Sequence, residues 1–312
     1  MKWPESLQTA TEQILQKSSP SVLKRASEAL TQEYRQKHSS HSIFSDEARR
    51  LAYLAVRFPA TYAAVTKVLS EIPEIPCKKI LDLGAGPGTA AWAARELFPD
   101  IQETVLIEKS ASAVSLGKEL MGGSDFKARW ICEDLETMTE FPSADLAILS
   151  YALGELKNPN ALVEKLWQNP ISYLAIIEPG TPLGYRNIVR ARELLIHLGA
   201  YLLAPCPHRM ACPLKTGDWC HFSVRLERTK LHRLLKEGSL GYEDEKFSYL
   251  IVSRQAQKIP GSRILRPPQK GSGHVRFSIC NENGACADTV VSRKTKDFYR
   301  LARDAEWGDR WM

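Results

Sequence analysis

The chain has 312 residues, 44% of them hydrophobic and 25% charged, with a formal net charge of +6. These values suit a globular protein of about two domains and exclude low-complexity and fibrous classes. No apolar run approaches the roughly 18–20 residues of a membrane span, so no membrane partner is expected. The opening residues carry Glu5 and Glu12 and no apolar stretch, which argues against a targeting segment. A cytoplasmic, bacterial-type monomer is the expectation.

Residues 1–75 read as helical. Val22, Ala26, Ala29 and Leu30 mark one apolar stripe, and a second helix begins at Ser45, a plausible N-cap followed by Asp46 and Glu47. Pro59 is expected to end or kink it, after which TYAAVTKVLSEI resumes the helical period. Arg49, Arg50 and Arg57 are taken as solvated helix charges. Pro73 and Pro76 mark a linker.

An alternating order follows. Strands are expected at 79–83, 104–108, 127–132, 145–151 and 173–178, with helices at 88–98, 110–121, 160–168 and 183–199. Such alternation predicts a parallel, doubly wound sheet whose site lies at the strand carboxyl ends. The first strand runs into Lys79–Thr89, KILDLGAGPGT. Gly84, Gly86 and Gly88 let a ligand approach the backbone, and the next helix points its free N–H groups at the loop. A dinucleotide fingerprint would need a third glycine at 89, where Thr89 stands. The D-x-G-x-G-x-G pattern looks like motif I of the class I methyltransferases, which bind S-adenosylmethionine (SAM). Asp82 would face the cationic groups of that ligand. Glu108 ends the second strand, where an acid takes ribose hydroxyls. Asp134, with Glu133 as its rival, follows the third strand beside the adenine. Ser150 opens SYALGE after the fourth strand and would lie over the sulfonium. SYAL is not the [DN]-P-P-[YF] of base-amino methyltransferases, and Pro205-Cys206 lies too late for a cytosine-attacking cysteine. No catalytic base or nucleophile is therefore assigned. Transfer to a good nucleophile can proceed by positioning alone.

The second half differs in charge and in cysteine content. Residues 1–199 carry 22 basic and 24 acidic side chains, whereas residues 200–312 carry 20 and 12. A basic tail suits a polyanion. Five of the seven cysteines lie in the last 107 residues. Cys206, Cys212 and Cys220 form a block, with Cys280 far downstream. Four thiolates can enclose a metal centre, zinc or an iron–sulfur cluster. The wide spacings suit a cluster better than zinc knuckles. His208 and His221 are substitute zinc ligands, and Cys286 competes with Cys280. Cys77 and Cys132 are assigned to the core.

From Arg254 to Arg276 there are six basic residues and no acid: Arg254, Lys258, Arg263, Arg266, Lys270 and Arg276. Pro260, Gly261, Pro267, Pro268, Gly271 and Gly273 make this stretch a loop whose side chains can reach phosphates. HVRFSIC and CADTVVSR flank the turn at Asn283-Gly284 as a hairpin, and TKDFYRLARDAEWGD closes as a helix. Trp307 and Trp311 are expected to pack the tail on the core.

YLAVRFPATYAA, LDLGAGPGTA, IEPGTPLGY, the block APCPH…CPL…DWCHFSVR, the late Cys280 and the closing WGD occur in one order. Together they resemble the methyltransferase-like assembly factors of the mitochondrial small ribosomal subunit and their bacterial relatives, from about Ser45 to the end. The resemblance implies a 4Fe–4S cluster on Cys206, Cys212, Cys220 and Cys280. It also implies a SAM-type pocket at Asp82, Gly84, Gly86, Gly88 and Glu108, and small-subunit ribosomal RNA as partner.

The expected fold is α/β: a class I SAM-dependent methyltransferase core (Rossmann-like doubly wound sheet). The expected divisions are 1–75 helical, 76–203 SAM-binding core, and 204–312 cysteine cluster, final core strands, hairpin and helix. The expected function is a SAM-binding, iron–sulfur-containing factor acting on the small ribosomal subunit, as an rRNA methyltransferase or as a non-catalytic assembly factor. The alternative is a zinc-stabilised methyltransferase acting on a protein or small molecule.

Overall fold

The computed structural model describes residues 3–36, 44, 46–228, 230–236, 240–257 and 261–312. Three helices come first: α1 (Glu5–Leu15), α2 (Pro20–Gln36) and α3 (Glu47–Leu69). Ser45, the expected cap of α3, lies outside the described residues. Asp46 caps the helix instead, its carboxylate accepting from Arg49 N–H at 2.9 Å. α3 runs through Pro59, so the helix does not end there. Proline removes one helical hydrogen bond, but Leu54, Phe58, Tyr62 and Val65 are buried on both sides of it. That burial outweighs the lost bond.

The central sheet takes β1 (Lys79–Leu83), β2 (Glu103–Ile107), β3 (Arg129–Ile131), β4 (Ala144–Ser150), β5 (Ile171–Pro179), β6 (Tyr201–Ala204), β7 (Phe222–Glu227) and β8 (Tyr242–Ser253). The order is β3-β2-β1-β4-β5-β8-β6. The first five strands are parallel, connected through α4 (Thr89–Leu97), α5 (Ala111–Met121) and α6 (Pro159–Gln168). The antiparallel β8 pairs with β5 on one edge. Its other edge takes β6 and then β7. This strand order, with one antiparallel strand inserted after β5, is the class I methyltransferase arrangement. Strands β1, β4 and β5 are near-continuous apolar runs because both faces of the sheet are covered. α3 packs against α4, β7 and β8 on one side, and α6 and α7 (Pro182–His197) cover the other.

A second, smaller sheet follows α8 (Lys230–Lys236) and β8: β9 (Ser262–Ile264), β10 (Gln269–Lys270), β11 (His274–Cys280), β12 (Cys286–Ser292) and β13 (Arg310–Trp311). α9 (Lys296–Asp304) packs Ala302 over Val275, Phe277 and Val291. Trp311 packs against Phe277 with ring centroids 4.6 Å apart and the rings tilted by 43°, which makes it a packing residue. Among the described residues no helix is long and apolar enough to cross a membrane.

Candidate functional site

The glycine loop between β1 and α4 turns through three left-handed residues: Gly84 (φ 64°), Gly86 (φ 53°) and Gly88 (φ 87°). Two of these positions are also crowded. A Cβ on Gly84 would lie 2.7 Å from Ala152 Cβ, and one on Gly88 would lie 2.7 Å from Met121 Cε. The loop therefore needs glycine for conformation and for close approach. Phe44 and Tyr53 from the N-terminal region stand over Gly86, and the Phe44 carbonyl accepts from Ser112 Oγ at 2.8 Å.

The acids expected at the pocket are fixed by protein N–H groups. Asp82 is buried, and its carboxylate accepts from Ala91 N–H at 3.0 Å in the first turn of α4. Burial pushes its carboxyl up to about 7, against the Ala91 bond and with help from the nearby Glu108 charge. Asp82 thus joins strand to helix. Glu108, just past β2, accepts from Gly86 N–H at 2.9 Å and Ser110 N–H at 2.8 Å, bracing the glycine loop. Asp134 opens the turn after β3 by accepting from Glu136 N–H at 3.0 Å. Ser150 ends β4, and its hydroxyl is buried with no hydrogen-bond partner among the described residues.

The segment after β4 is held from two sides, by Glu245 with Arg57 and by Glu178 with Asn187. Tyr151 adopts φ 57°, unusual for a non-glycine residue. Its hydroxyl donates to Glu245 at 3.1 Å, and Arg57 pairs with the same carboxylate at 3.2 Å. Arg57 is therefore no solvated helix charge. Three residues on, Gly154 N–H donates to Glu178 at 3.4 Å, and Asn187 Nδ2 donates to the other Glu178 oxygen at 3.0 Å. Burial raises Glu178 to about 7 despite these two bonds.

The cysteine block is an excursion from the sheet. β6 ends opposite Ile251 and β7 begins opposite Phe247, so residues 205–221 leave and rejoin the same stretch of β8. Cys206, Cys212 and Cys220 line a single apolar cavity there, and β11 of the second sheet brings Cys280 into the same wall. The cavity holds about 580 Å³ of empty space, its open mouth included. Among the described residues no group of three or more His, Cys, Asp or Glu side chains is placed to hold a metal ion. Tyr185 Oη lies 3.2 Å from Cys212 Sγ, and His208 Nε2 lies 3.3 Å from Cys280 Sγ. Arg192 is 2% exposed and donates to the carbonyls of His208 and Met210 at 2.9 and 2.7 Å. Burial raises the Cys206, Cys220 and Cys280 thiols, the last to about 12, while the Arg192 charge opposes this at Cys206 and Cys280. His208 lines the cavity, whereas His221 stacks on Trp219 beside Trp307. Cys77 is buried as expected of a core cysteine. Cys132 is exposed, because β3 is an edge strand and ends there.

The basic stretch is not the free loop expected, since β9 and β10 lie within it. Arg263 is 2% exposed and pairs with Glu71 at 2.7 and 3.0 Å, so its side chain is withdrawn from any phosphate. Arg266 is tied to Asp218 and donates to the Leu265 carbonyl at 2.6 Å. Arg254 stacks on Trp167 at 4.1 Å and donates to the carbonyl oxygens of Ile171 and Asn169 at 3.1 and 2.8 Å. Lys258 lies outside the described residues. Lys270 and Arg276 are exposed. On α7, Arg186 and Arg190 stand one turn apart, exposed, with no ion-pair partner among the described residues. Arg192 had a readable signal: it falls on the buried stripe Ile188–Arg192–Leu195, where a charge demands partners.

The family described as mitochondrial small ribosomal subunit Rsm22 matches residues 47–312. The human protein "Ribosome assembly protein METTL17, mitochondrial" is 28% identical over 84% of this chain and 62% of its own length. A Schizosaccharomyces pombe "Rsm22-cox11 tandem protein 2, mitochondrial" is 26% identical over 85% of this chain and 44% of its own. The chain thus spans less than two thirds of these relatives. A plantazolicin methyltransferase structure with S-adenosylhomocysteine covers 74% of the chain at 14% identity, with a TM-score of 0.42. On the match over residues 47–312, the chain belongs to the family of mitochondrial small ribosomal subunit Rsm22.

Proposed function

We propose that this chain is a SAM-binding assembly factor of the small ribosomal subunit that carries a metal centre on Cys206, Cys212, Cys220 and Cys280 and docks on ribosomal RNA. The observation that carries the reading is the meeting of these four cysteines, from an excursion of the central sheet and from a separate sheet, in one cavity. The donor set fits a thiolate-bound metal, and buried Arg192 offsets part of the negative charge that four thiolates would bring. The wide spacings of Cys206, Cys212 and Cys220 suit a cluster of the 4Fe–4S kind better than a zinc knuckle. Such a centre would supply folding energy by joining the two sheets.

The crowded glycine cradle and the orphan Ser150 hydroxyl fit a SAM-type ligand. Gly84, Gly86 and Gly88 would let it approach, Glu108 would set the ribose end, and Ser150 would meet its polar groups. SAM supplies an electrophilic methyl group when bound. What the chain's residues do is position. Tyr151 is tied to Glu245, and Glu178 is tied to Gly154 and Asn187, so both flanks of the loop after β4 serve to hold its shape. That favours a factor in which SAM binding stabilises a docking-competent form, with methyl transfer as the second reading. For RNA, Lys270 and Arg276 of the expected set, with Arg186 and Arg190 of α7, offer exposed cations to phosphates.

The test incubates the purified chain and methyl-labelled SAM with immature small subunits, then maps crosslinks and label. Crosslinks to small-subunit RNA without label are expected. Label in one nucleotide would establish the enzyme reading, and failure to bind subunits would sink both.

A further inference from the structure

Cys280 and Cys286 face each other across the β11/β12 hairpin. The turn between them is closed by Asn281 N–H donating to the Ala285 carbonyl at 2.9 Å. Hydrogen-bonded and non-hydrogen-bonded rungs alternate in an antiparallel pair, so the next rung, Cys280–Cys286, is non-hydrogen-bonded. Opposed Cα atoms on such a rung come within about 4.5 Å and their side chains stand closest. This lies at the short end of the roughly 4.4–6.8 Å over which a disulfide closes. Both thiols are free. Their surroundings differ. Cys280 is 7% exposed and lines the cavity, whereas Cys286 is exposed to solvent.

We propose that Cys280 and Cys286 are a reversible dithiol–disulfide pair, in which Cys286 meets the oxidant and the bond withdraws Cys280 from the cysteine cavity. The oxidant is a low-molecular-weight disulfide, with oxidised glutathione as the probe. The Cys286 thiolate attacks one glutathione sulfur, forming a mixed disulfide and releasing one glutathione thiolate. The Cys280 thiolate then attacks the Cys286 sulfur, closing the intramolecular bond and releasing the second. Two electrons pass from the cysteine pair to oxidised glutathione, and the two cysteine protons end on the two released thiols. Excess reduced glutathione reverses both steps. The withdrawal rests on the metal reading above: a cavity that loses Cys280 keeps three of its four thiolates. Metal bound first would hold Cys280 and prevent the reaction, so the pair would close when the centre is empty.

The full chain, stripped with chelator and reductant and then desalted, is exposed to oxidised glutathione, alkylated and digested with trypsin. Cleavage after Arg276 and Arg293 yields one peptide, 277–293, containing Cys280 and Cys286 and no other cysteine. The expected result is that this peptide runs two hydrogens lighter and carries no alkyl group, and that dithiothreitol restores two alkylation sites. Cys286→Ser retains all four cavity cysteines, so it should bind metal as the wild type does and leave Cys280 free of an intrapeptide bond. Alkylation of both wild-type thiols, or Cys280 linked to Cys206, Cys212 or Cys220, would overturn the pair. Uptake of zinc, or of ferrous iron with sulfide, should fall at least tenfold in the disulfide form. Equal uptake by the oxidised and reduced wild type would overturn the withdrawal. A reduced wild type that takes up neither metal would overturn the metal reading instead, and the peptide mass, which needs no metal, tells the two failures apart.

Discussion

The guanidinium of Arg263 and the carboxylate of Glu71 form a two-bond ion pair, at 2.7 and 3.0 Å, between residues 192 positions apart. Arg263 also donates to the carbonyls of Pro205 and Gly308, at 3.0 and 2.5 Å. One buried side chain thus joins the end of the helical region, the start of the cysteine excursion and the last turn of the chain. Arg310 adds a second cation to Glu71 at 3.4 Å.

Arg263→Ala should therefore destabilise the protein by about 3–5 kcal/mol, because it leaves Glu71 and two carbonyls short of their partner. Urea unfolding measures this. A loss below about 1 kcal/mol would mean that the pair is not buried in solution. An RNA-binding defect in this variant would report unfolding rather than a lost phosphate contact.

The same pair sets an acid limit. Burial works to raise the Glu71 carboxyl, but the Arg263 hydrogen bonds and charge, with Arg310, hold it below its ordinary value of 4.5. A depressed carboxylate contributes stability above its unfolded pKa and loses it as pH falls through the folded one. Stability should drop below about pH 4.5, and Glu71→Gln should lower stability at neutral pH while weakening that acid dependence. Thermal melts across pH 3–7 provide the comparison.

Glu178 has the opposite sign. Its carboxyl is raised to about 7, so the native state binds the proton more tightly than the unfolded chain and stability falls as pH rises from about 4.5 to 7. Asp82, raised to about 7 as well, adds a parallel contribution. Glu178→Gln should reduce the slope in this window by about half, with the Asp82 part remaining. An unchanged slope would show that Glu178 is ionised throughout.

At the glycine loop, Gly86→Ala should weaken SAM binding mildly. Its added Cβ meets nothing closer than 3.9 Å, and the φ of 53° costs about 1–2 kcal/mol. Gly84→Ala adds a 2.7 Å collision with Ala152 and should bind SAM at least tenfold more weakly than Gly86→Ala. Calorimetry distinguishes them. Cys212→Ser, which removes a proposed metal ligand, should lower folded yield more than either.

Neutralising Arg186 and Arg190 together should weaken RNA binding and reduce the slope of log K against log salt by about 1.4–1.8. Binding titrations at several salt concentrations measure it. An unchanged slope would remove α7 from the interface.

Much of this protein is legible before folding. The strand–glycine–helix pattern at Lys79–Leu97 and the alternation after it depend on local propensity and burial period, which a sequence states directly. The hairpin at 274–292 is equally local. The basic stretch shows that a residue's cost or freedom depends on what is packed against it. Pro59 is tolerated because both sides of α3 are buried. Arg263 reads as a phosphate contact until Glu71 is brought beside it.

The sequence by itself determined the five parallel strands and the glycine cradle, because these follow from residue type and short-range spacing. Only the tertiary structure decided which cations remain available and that Tyr151 and Glu178 anchor the loop after β4. Those are contacts between residues far apart in the chain or across a turn. Burial and charge pairing come into being there only when the chain closes on itself.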